Sequence, residues 1–397
     1  MMGPLEGVRI FDLTVWMVGP WASMMLGSLG ADVIHVEQPG IPLSERGAGV
    51  PPTLNGTSVG YVTWNMNKRS VYLDLKTEHD RAVAYELIRQ CDVFLVNMRP
   101  GVAERLGMGY ETLRRIRPEL VYCALNGWGS SGPMVHEPGA DGQMQGFSGF
   151  WSVNGPDDGP GEFYRHFTQL DANTGNFAAA AICFGVWASR RRGAGMYIEV
   201  PMLAAAAALQ TLPLTRHLAT GRPVRPLGSA SALSAPNQVF RCADGKYLGV
   251  AVRHDRDWEA LVHVLGEPAL LTDPRFRTNP LRVTHRRELA ALLAPRFAAY
   301  PLLYWLRELG RAGIPCGYPL GFEHLRDHAQ VEANGYLVRV ETPAWGTVWT
   351  GGPPWHFSET PARWFRTPEP GEQTEAILAE FGVAGGVPAG GEGGRSA

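Results

Sequence analysis

The first apolar run of the chain, Val8 to Leu13 (VRIFDL), ends at Thr14. After Gly19-Pro20 comes a helical stretch, Trp21 to Leu29, which Gly30 stops, and then a second apolar run, Asp32 to Glu37 (DVIHVE). This spacing predicts a βαβ unit over residues 8–37 with parallel strands. The alternation repeats: a strand from Val71 to Leu75, a helix from His79 to Gln90 and a strand from Asp92 to Val96, followed by a strand from Leu120 to Leu125 and another from Tyr197 to Val200. Alternating strands and helices imply an α/β fold, a Rossmann-like large domain built on a parallel sheet covered by helices. Leu203 to Leu212 reads as a helix stopped by Pro213.

From Gly221 the character changes. Arg222-Pro223-Val224-Arg225-Pro226 reads as a linker. Asn237 to Phe240 and Tyr247 to Val252, around Asp244-Gly245, read as a hairpin. Helical segments follow at Trp258–Leu265, His285–Phe297 and Leu302–Leu309. The expected layout is a large domain over 1–220, a smaller α/β domain over 221–315 and a return to the large domain over 316–382. That return carries short strands at Pro315–Leu320 and Gly335–Pro343 and a helix at Glu372–Phe381. The Gly-rich tail, 383–397, reads as disordered.

The other long helical signal runs from Phe177 to Arg190 (FAAAAICFGVWASR), closed by Arg191, Arg192 and Gly193, with Asp171 at its N-terminal edge. The plain reading of Asp171 is an N-cap, the role that acidic residues favour there. The chemical reading is a carboxylate nucleophile, which can form an acyl intermediate in a partly dry pocket beside oxyanion donors.

Composition narrows the field. The formal charge of −2 supplies no basic field for nucleic acid. Five scattered cysteines without a CxxC pair read as buried thiols of a reducing compartment. The His324/His328 pair of HLRDH has Leu325 where a zinc-protease motif needs Glu, so it reads as a solvated helix face and not a metal site. No apolar run approaches the roughly 18 residues of a membrane span, and the N-terminus lacks the form of a signal peptide. A cytoplasmic protein with no membrane partner is the expectation. Glu37, at the end of the second strand, raises the question of a nicotinamide site, but the turn Thr14-Val15-Trp16-Met17-Val18-Gly19 lacks the G-x-G-x-x-G pattern. Neither NAD nor a metal is expected, and Glu37 reads as a solvated strand end. Ligands of open α/β sheets bind beyond the C-terminal strand ends, where Asn97-Met98-Arg99-Pro100-Gly101 falls. Arg99, Arg105, Lys68, Arg69 and Lys76 are therefore candidates for phosphate groups, the alternative being ordinary surface cations.

Taken together, several segments resemble the class III CoA-transferases, a family that includes formyl-CoA transferase and carnitine CoA-transferase and has alpha-methylacyl-CoA racemase as a cousin. They include Pro4–Arg9, Gly19-Pro20, Leu29–Ile34, Asn67–Ser70, Asn97–Gly101, Arg105–Gly107, Asp273–Phe276, Ala312–Pro315 and Phe357–Pro361. The family's nucleophilic aspartate lies in a D-x-x-T-G segment, here Asp171 to Gly175. The resemblance implies coenzyme A as a substrate, with acyl-CoA and a carboxylic acid as the reacting partners and an aspartyl-bound intermediate. It implies CoA contacts at Met17, Val18, Gln38, Leu73, Leu75, Lys76, Asn97, Met98, Arg99 and Arg105, with Gly139, Ala140 and Asp141 near the thioester. Position 38 is often Arg in relatives, so Gln38 forgoes one phosphate contact. The racemase's G-H-D triplet is Gly139-Ala140-Asp141 here, and loss of that imidazole disfavours racemization. Formyl-CoA transferases carry a glycine-rich flap that corresponds here to Val252–Trp258, which has no glycine, so a carboxylate different from oxalate, or bulkier, is expected. The resemblance also implies an interlocked homodimer. Racemase or intramolecular transfer on the same scaffold, and a non-enzymatic CoA-binding protein, stand as alternatives.

Overall fold

The computed structural model describes residues 3–157 and 159–383, which form two compact units. The first comprises residues up to Phe150 with Tyr164–Ala219 and the chain from Gln330 onward. The second comprises Trp151–Phe163 and Thr220–Ala329. The small unit therefore takes in a short segment ahead of the long helix and extends beyond the expected limits of 221–315. The expected disordered tail lies outside the described residues, apart from Val383.

The first unit is built on strands β1 (Arg9–Leu13), β2 (Asp32–Glu37), β3 (Arg69–Tyr72), β4 (Val93–Val96), β5 (Val121–Asn126) and β6 (Met196–Pro201). Helix α1 (Val18–Ser28) links β1 to β2, α2 (Glu78–Ile88) links β3 to β4, and α3 (Asp141–Phe147) and α4 (Gln169–Arg192) lie between β5 and β6. All neighbouring strands are parallel and their order is β3-β2-β1-β4-β5-β6. This is the doubly wound arrangement, in which the strand order reverses between β1 and β4. Side chains alternate between the two faces as the pleat requires. Ile10 and Leu95 pack on Ala22, Leu26, Ala178 and Ile182 from α1 and α4, whereas Phe11 and Phe94 pack with Val83, Leu87, Ile377 and Phe381 on the other face. Burial on both faces explains why these strands read as nearly continuous apolar runs.

The helix expected from Leu203 to Leu212 is two helices, α5 (Met202–Leu209) and α6 (Thr211–Thr220). Pro213 sits in the first turn of α6, where its missing N–H costs no helical hydrogen bond, so it starts a helix where the sequence reading had it stop one.

The second unit is a three-stranded antiparallel sheet of β7 (Asn237–Arg241), β8 (Tyr247–Ala251) and β9 (Cys316–Gly317), covered by helices. Its core joins Phe240, Leu248, Trp258, Leu293, Phe297 and Trp305. The segment Val252–Trp258 is no flap: from Asp255 it is helix, and the Asp257 carboxylate accepts from the N–H groups of Arg253 and His254. His324 and His328 do not share a helix either, and exposed His324 pairs with Glu323. Among the described residues no single helix is long and apolar enough to cross a membrane. The bent pair Arg286–Phe297 and Leu302–Arg311 passes that test together, but buries Leu289, Leu293, Phe297, Leu302, Trp305 and Leu309 in this core.

The chain returns to the first unit with the hairpin β10 (Leu337–Thr342) and β11 (Gly346–Gly351), of which only the first strand was expected.

Candidate active site

The C-terminal edge of the sheet carries the candidate site, at the reversal between β1 and β4. The loop Thr14–Met17 leaves β1 there, and Asn97 leaves β4. The Val15 N–H donates to Asn97 Oδ1 at 2.9 Å, and Asn97 Nδ2 donates to the Val15 carbonyl at 2.6 Å. The amide of Asn97 is thus occupied in tying the two loops together. Beside them opens a cavity of about 290 Å³ lined by Val15, Trp16, Gln38, Leu73, Leu75, Lys76 and Met98, among others. Five of the sequence-derived CoA contacts, Gln38, Leu73, Leu75, Lys76 and Met98, therefore meet on one cavity. Lys76, Arg99 and Arg105 are exposed, and among the described residues none has a carboxylate ion partner. Three cations without acidic partners at this edge suit phosphate groups.

Lys68 and Arg69 are not part of that set. Lys68 is fully buried, 3.1 Å from the Asp12 carboxylate and hydrogen-bonded to Asn65 at 2.9 Å. Asp12 also accepts from Ser23 and Thr14 and faces His35 Nδ1 at 3.1 Å. Burial raises the Asp12 carboxyl, but Lys68 and then His35 outweigh it and hold the group well below the usual carboxylate range. Arg69 forms a two-pronged bond to Asp32 and reaches Glu380 of the last helix (Thr374–Glu380) at 2.6 Å, at the opposite edge of the sheet. Glu37 is also not solvated: it is buried, ion-paired with Arg46 and 3.3 Å from His35 Nε2. Lys68 and Arg69 are paired with carboxylates distant in sequence, which no local signal announces, whereas Glu37 is paired with Arg46 of the following loop and His35 of its own strand.

Asp171 lies in the first turn of α4, at the third helical position. It is not the N-cap: Thr168 occupies that position. The nearby N–H groups are instead served by Asp141, whose Oδ2 accepts from Leu170 N at 2.7 Å and from Asp171 N at 3.3 Å. Gln145, fully buried, donates to the other Asp141 oxygen and accepts from Tyr164 N. Two carboxylates are thereby brought to one helix start. Burial pushes the partly buried Asp171 carboxyl up to about 7, the negative charge of Asp141 adds to the rise, and a hydrogen bond with Thr168 offsets part of it. Gly139 is fixed by close approach: a Cβ there would lie 2.5 Å from the Gly127 Cα.

The two halves of the site adjoin through α1 and α4. Thr168 Oγ1 contacts Met17 Sδ, and Trp21 Nε1 donates to Asn176 at 2.9 Å. A Cβ at Gly175 would lie 2.7 Å from the Val18 carbonyl, which explains why the Asp171–Gly175 segment ends in glycine. Met17 and Val18 thus adjoin the Asp171 turn, while Asp171 and the Gly139–Asp141 segment do not line the cavity. Sequence reasoning missed Trp16, Thr168 and Gln145. The T-x-x-D spacing of Thr168 and Asp171 was a legible signal of the true helix start.

A sequence model described as CoA-transferase family III matches residues 5–374. The chain belongs to CoA-transferase family III. It is 35% identical to succinyl-CoA:glutarate CoA-transferase of Mus musculus over 384 residues, covering 96% of this chain and 86% of the relative. It is 33% identical to acetyl-CoA:oxalate CoA-transferase of Acetobacter aceti, covering 96% of both. Among solved structures, a CaiB/BaiF family protein from Brucella suis superposes with a TM-score of 0.83 at 28% identity, over 96% of this chain and all of that one. Rv3272 from Mycobacterium tuberculosis superposes with the same score at 27% identity, over 95% and 99%. The family's enzymes use CoA thioesters as substrates, and this chain is one of those transferases.

Proposed function

We propose that this enzyme moves CoA between small organic acids through covalent attachment to Asp171, with the nucleotide end of the thioester in the cavity at the sheet edge. The observation that carries the reading is the place of Asp171: partly buried in the first turn of α4, beside Asp141 and in the turn whose Thr168 contacts Met17, with its carboxyl raised to about 7. A poorly solvated carboxylate is a stronger nucleophile than one in water.

The steps balance without a redox change. The Asp171 carboxylate attacks the thioester carbonyl, the C–S bond breaks, and an acyl-aspartyl anhydride and CoA thiolate result. The thiolate attacks the aspartyl carbonyl, expels the donor acid as its carboxylate and leaves CoA as an aspartyl thioester. An acceptor carboxylate then attacks that thioester and releases the thiolate, which attacks the acceptor's acyl carbonyl and frees Asp171. Lys76, Arg99 and Arg105 would hold the phosphates throughout. No metal or redox cofactor is needed by this scheme.

Racemization would require an acid/base pair at the alpha carbon. The middle of the Gly139–Asp141 triplet is an alanine, and Asp141 is spent on two backbone N–H groups and Gln145. Transfer between separate acids is therefore the preferred reading over racemization.

The names of the relatives make dicarboxylates the first acids to test. Succinyl-CoA with a radiolabelled CoA moiety should pass its label to at least one acid of a panel containing glutarate, oxalate and monocarboxylates, and Asp171→Asn should abolish this. Absence of transfer to every acid, or formation of an isomeric thioester without an acceptor, would contradict the proposal.

A further inference from the structure

The loop after β1 contains a feature that CoA binding at the cavity does not require. Trp16 adopts φ 68°, in the left-handed region that bulky side chains avoid, and the residue is 64% exposed. An outlier of this kind persists only where its surroundings enforce it. The enforcement is visible: Asn97 holds both backbone polar groups of Val15, and buried Met17 is anchored against Thr168. Between those anchors most of the Trp16 surface faces solvent. Trp16 also lines the cavity, while the next residue, Met17, touches Thr168 at the start of the turn that carries Asp171.

We propose that Trp16 is a specificity-determining residue whose indole face packs against the acyl chain of the thioester, so that the enzyme favours ω-carboxyacyl groups with a methylene spacer over those without one. The inference rests on the assignment of Asp171 as the nucleophile. Trp16 lines the cavity and its neighbour Met17 touches Thr168 at the Asp171 turn, so an acyl chain reaching from the cavity to Asp171 would pass the indole, and each methylene covered by it would leave water. A fully buried methylene is worth about fourfold in binding. Contact with one indole face gives about twofold for each methylene.

The test compares malonyl-, succinyl-, glutaryl- and adipyl-CoA as donors to one fixed acceptor acid, in wild type, Trp16→Gly, Trp16→Asn and Trp16→Phe. Gly and Asn both tolerate the left-handed backbone, so at least one variant keeps the loop without the indole. The expected result is a loss of kcat/KM in Trp16→Gly or Trp16→Asn that grows about twofold with each added methylene, and a shallower loss in Trp16→Phe. A loss of equal size for all four donors, or no loss, overturns the proposal. Asp171→Asn measured alongside separates the two assignments. A dead Asp171→Asn with a flat Trp16 series refutes only the role of Trp16, whereas an active Asp171→Asn refutes the underlying mechanism.

Discussion

Asp171 and Asp141 share a helix start but are held differently, and their chemistry follows from that difference. Asp141 is fixed by two backbone N–H groups and Gln145, whereas Asp171 is left with Thr168 and a like charge beside it. Attack on a thioester needs the carboxylate form, and a carboxyl raised to about 7 is mostly protonated two units below that value. Lowering the pH through 7 should therefore remove activity, and raising it should restore it. The kcat/KM for the donor thioester should rise with an apparent midpoint near 7 and then level off. Asp141→Asn removes the neighbouring charge while leaving an amide oxygen to accept the same N–H groups, so its midpoint should move to lower pH. A profile already flat at about pH 5 would contradict the assignment. The sequence pointed to Asp171 through its place before an apolar helix, but not to the cap it needs, because Asp141 lies 30 residues away.

At the scale of elements, the loop after β1 is positioned by β4 through Asn97. Asn97→Ala removes both hydrogen bonds to Val15, each worth about 1 kcal/mol. Affinity for CoA, measured by calorimetry, should fall about tenfold while the thermal midpoint changes little, since these bonds lie at the sheet edge and not in its core. Unchanged affinity would remove the loop from the binding site. The strands and their parallel direction were legible because runs such as Val93–Val96 are apolar throughout and bounded by turn residues, whereas their order in the sheet was not. The fates of Lys68 and Glu37 were not. A charged residue beside a strand is usually exposed, and here Asp12 reverses that expectation for Lys68 through tertiary contact, while Arg46 and His35 reverse it for Glu37. Pro213 misled for a related reason: a proline marks a helix boundary without saying on which side of it the helix lies.

At the scale of the molecule, α4 presents Phe177, Phe184 and Trp187 to solvent, at spacings that keep them on one face. Phe184 is 71% exposed and Trp187 62%, and Leu218 of α6 is 74% exposed. Aligned, exposed aromatic residues of this kind suit an interface. They support the homodimer that the family resemblance implies. Light scattering should give a dimer for wild type, and Phe184→Glu with Trp187→Glu should weaken or abolish it; a monomeric wild type with full activity would contradict the proposal. Interlocking of two chains has no signature in a single sequence, since it depends on how a second copy meets surfaces such as this one. The central claim, that CoA becomes covalently attached to Asp171, is tested most directly by the mass of the protein mixed with donor thioester and no acceptor acid. The predicted result is a gain equal to CoA less one water, located on the peptide containing Asp171, converted to a hydroxamate by hydroxylamine and absent in Asp171→Asn. Turnover without any adduct, or an adduct on another carboxylate, would contradict the account.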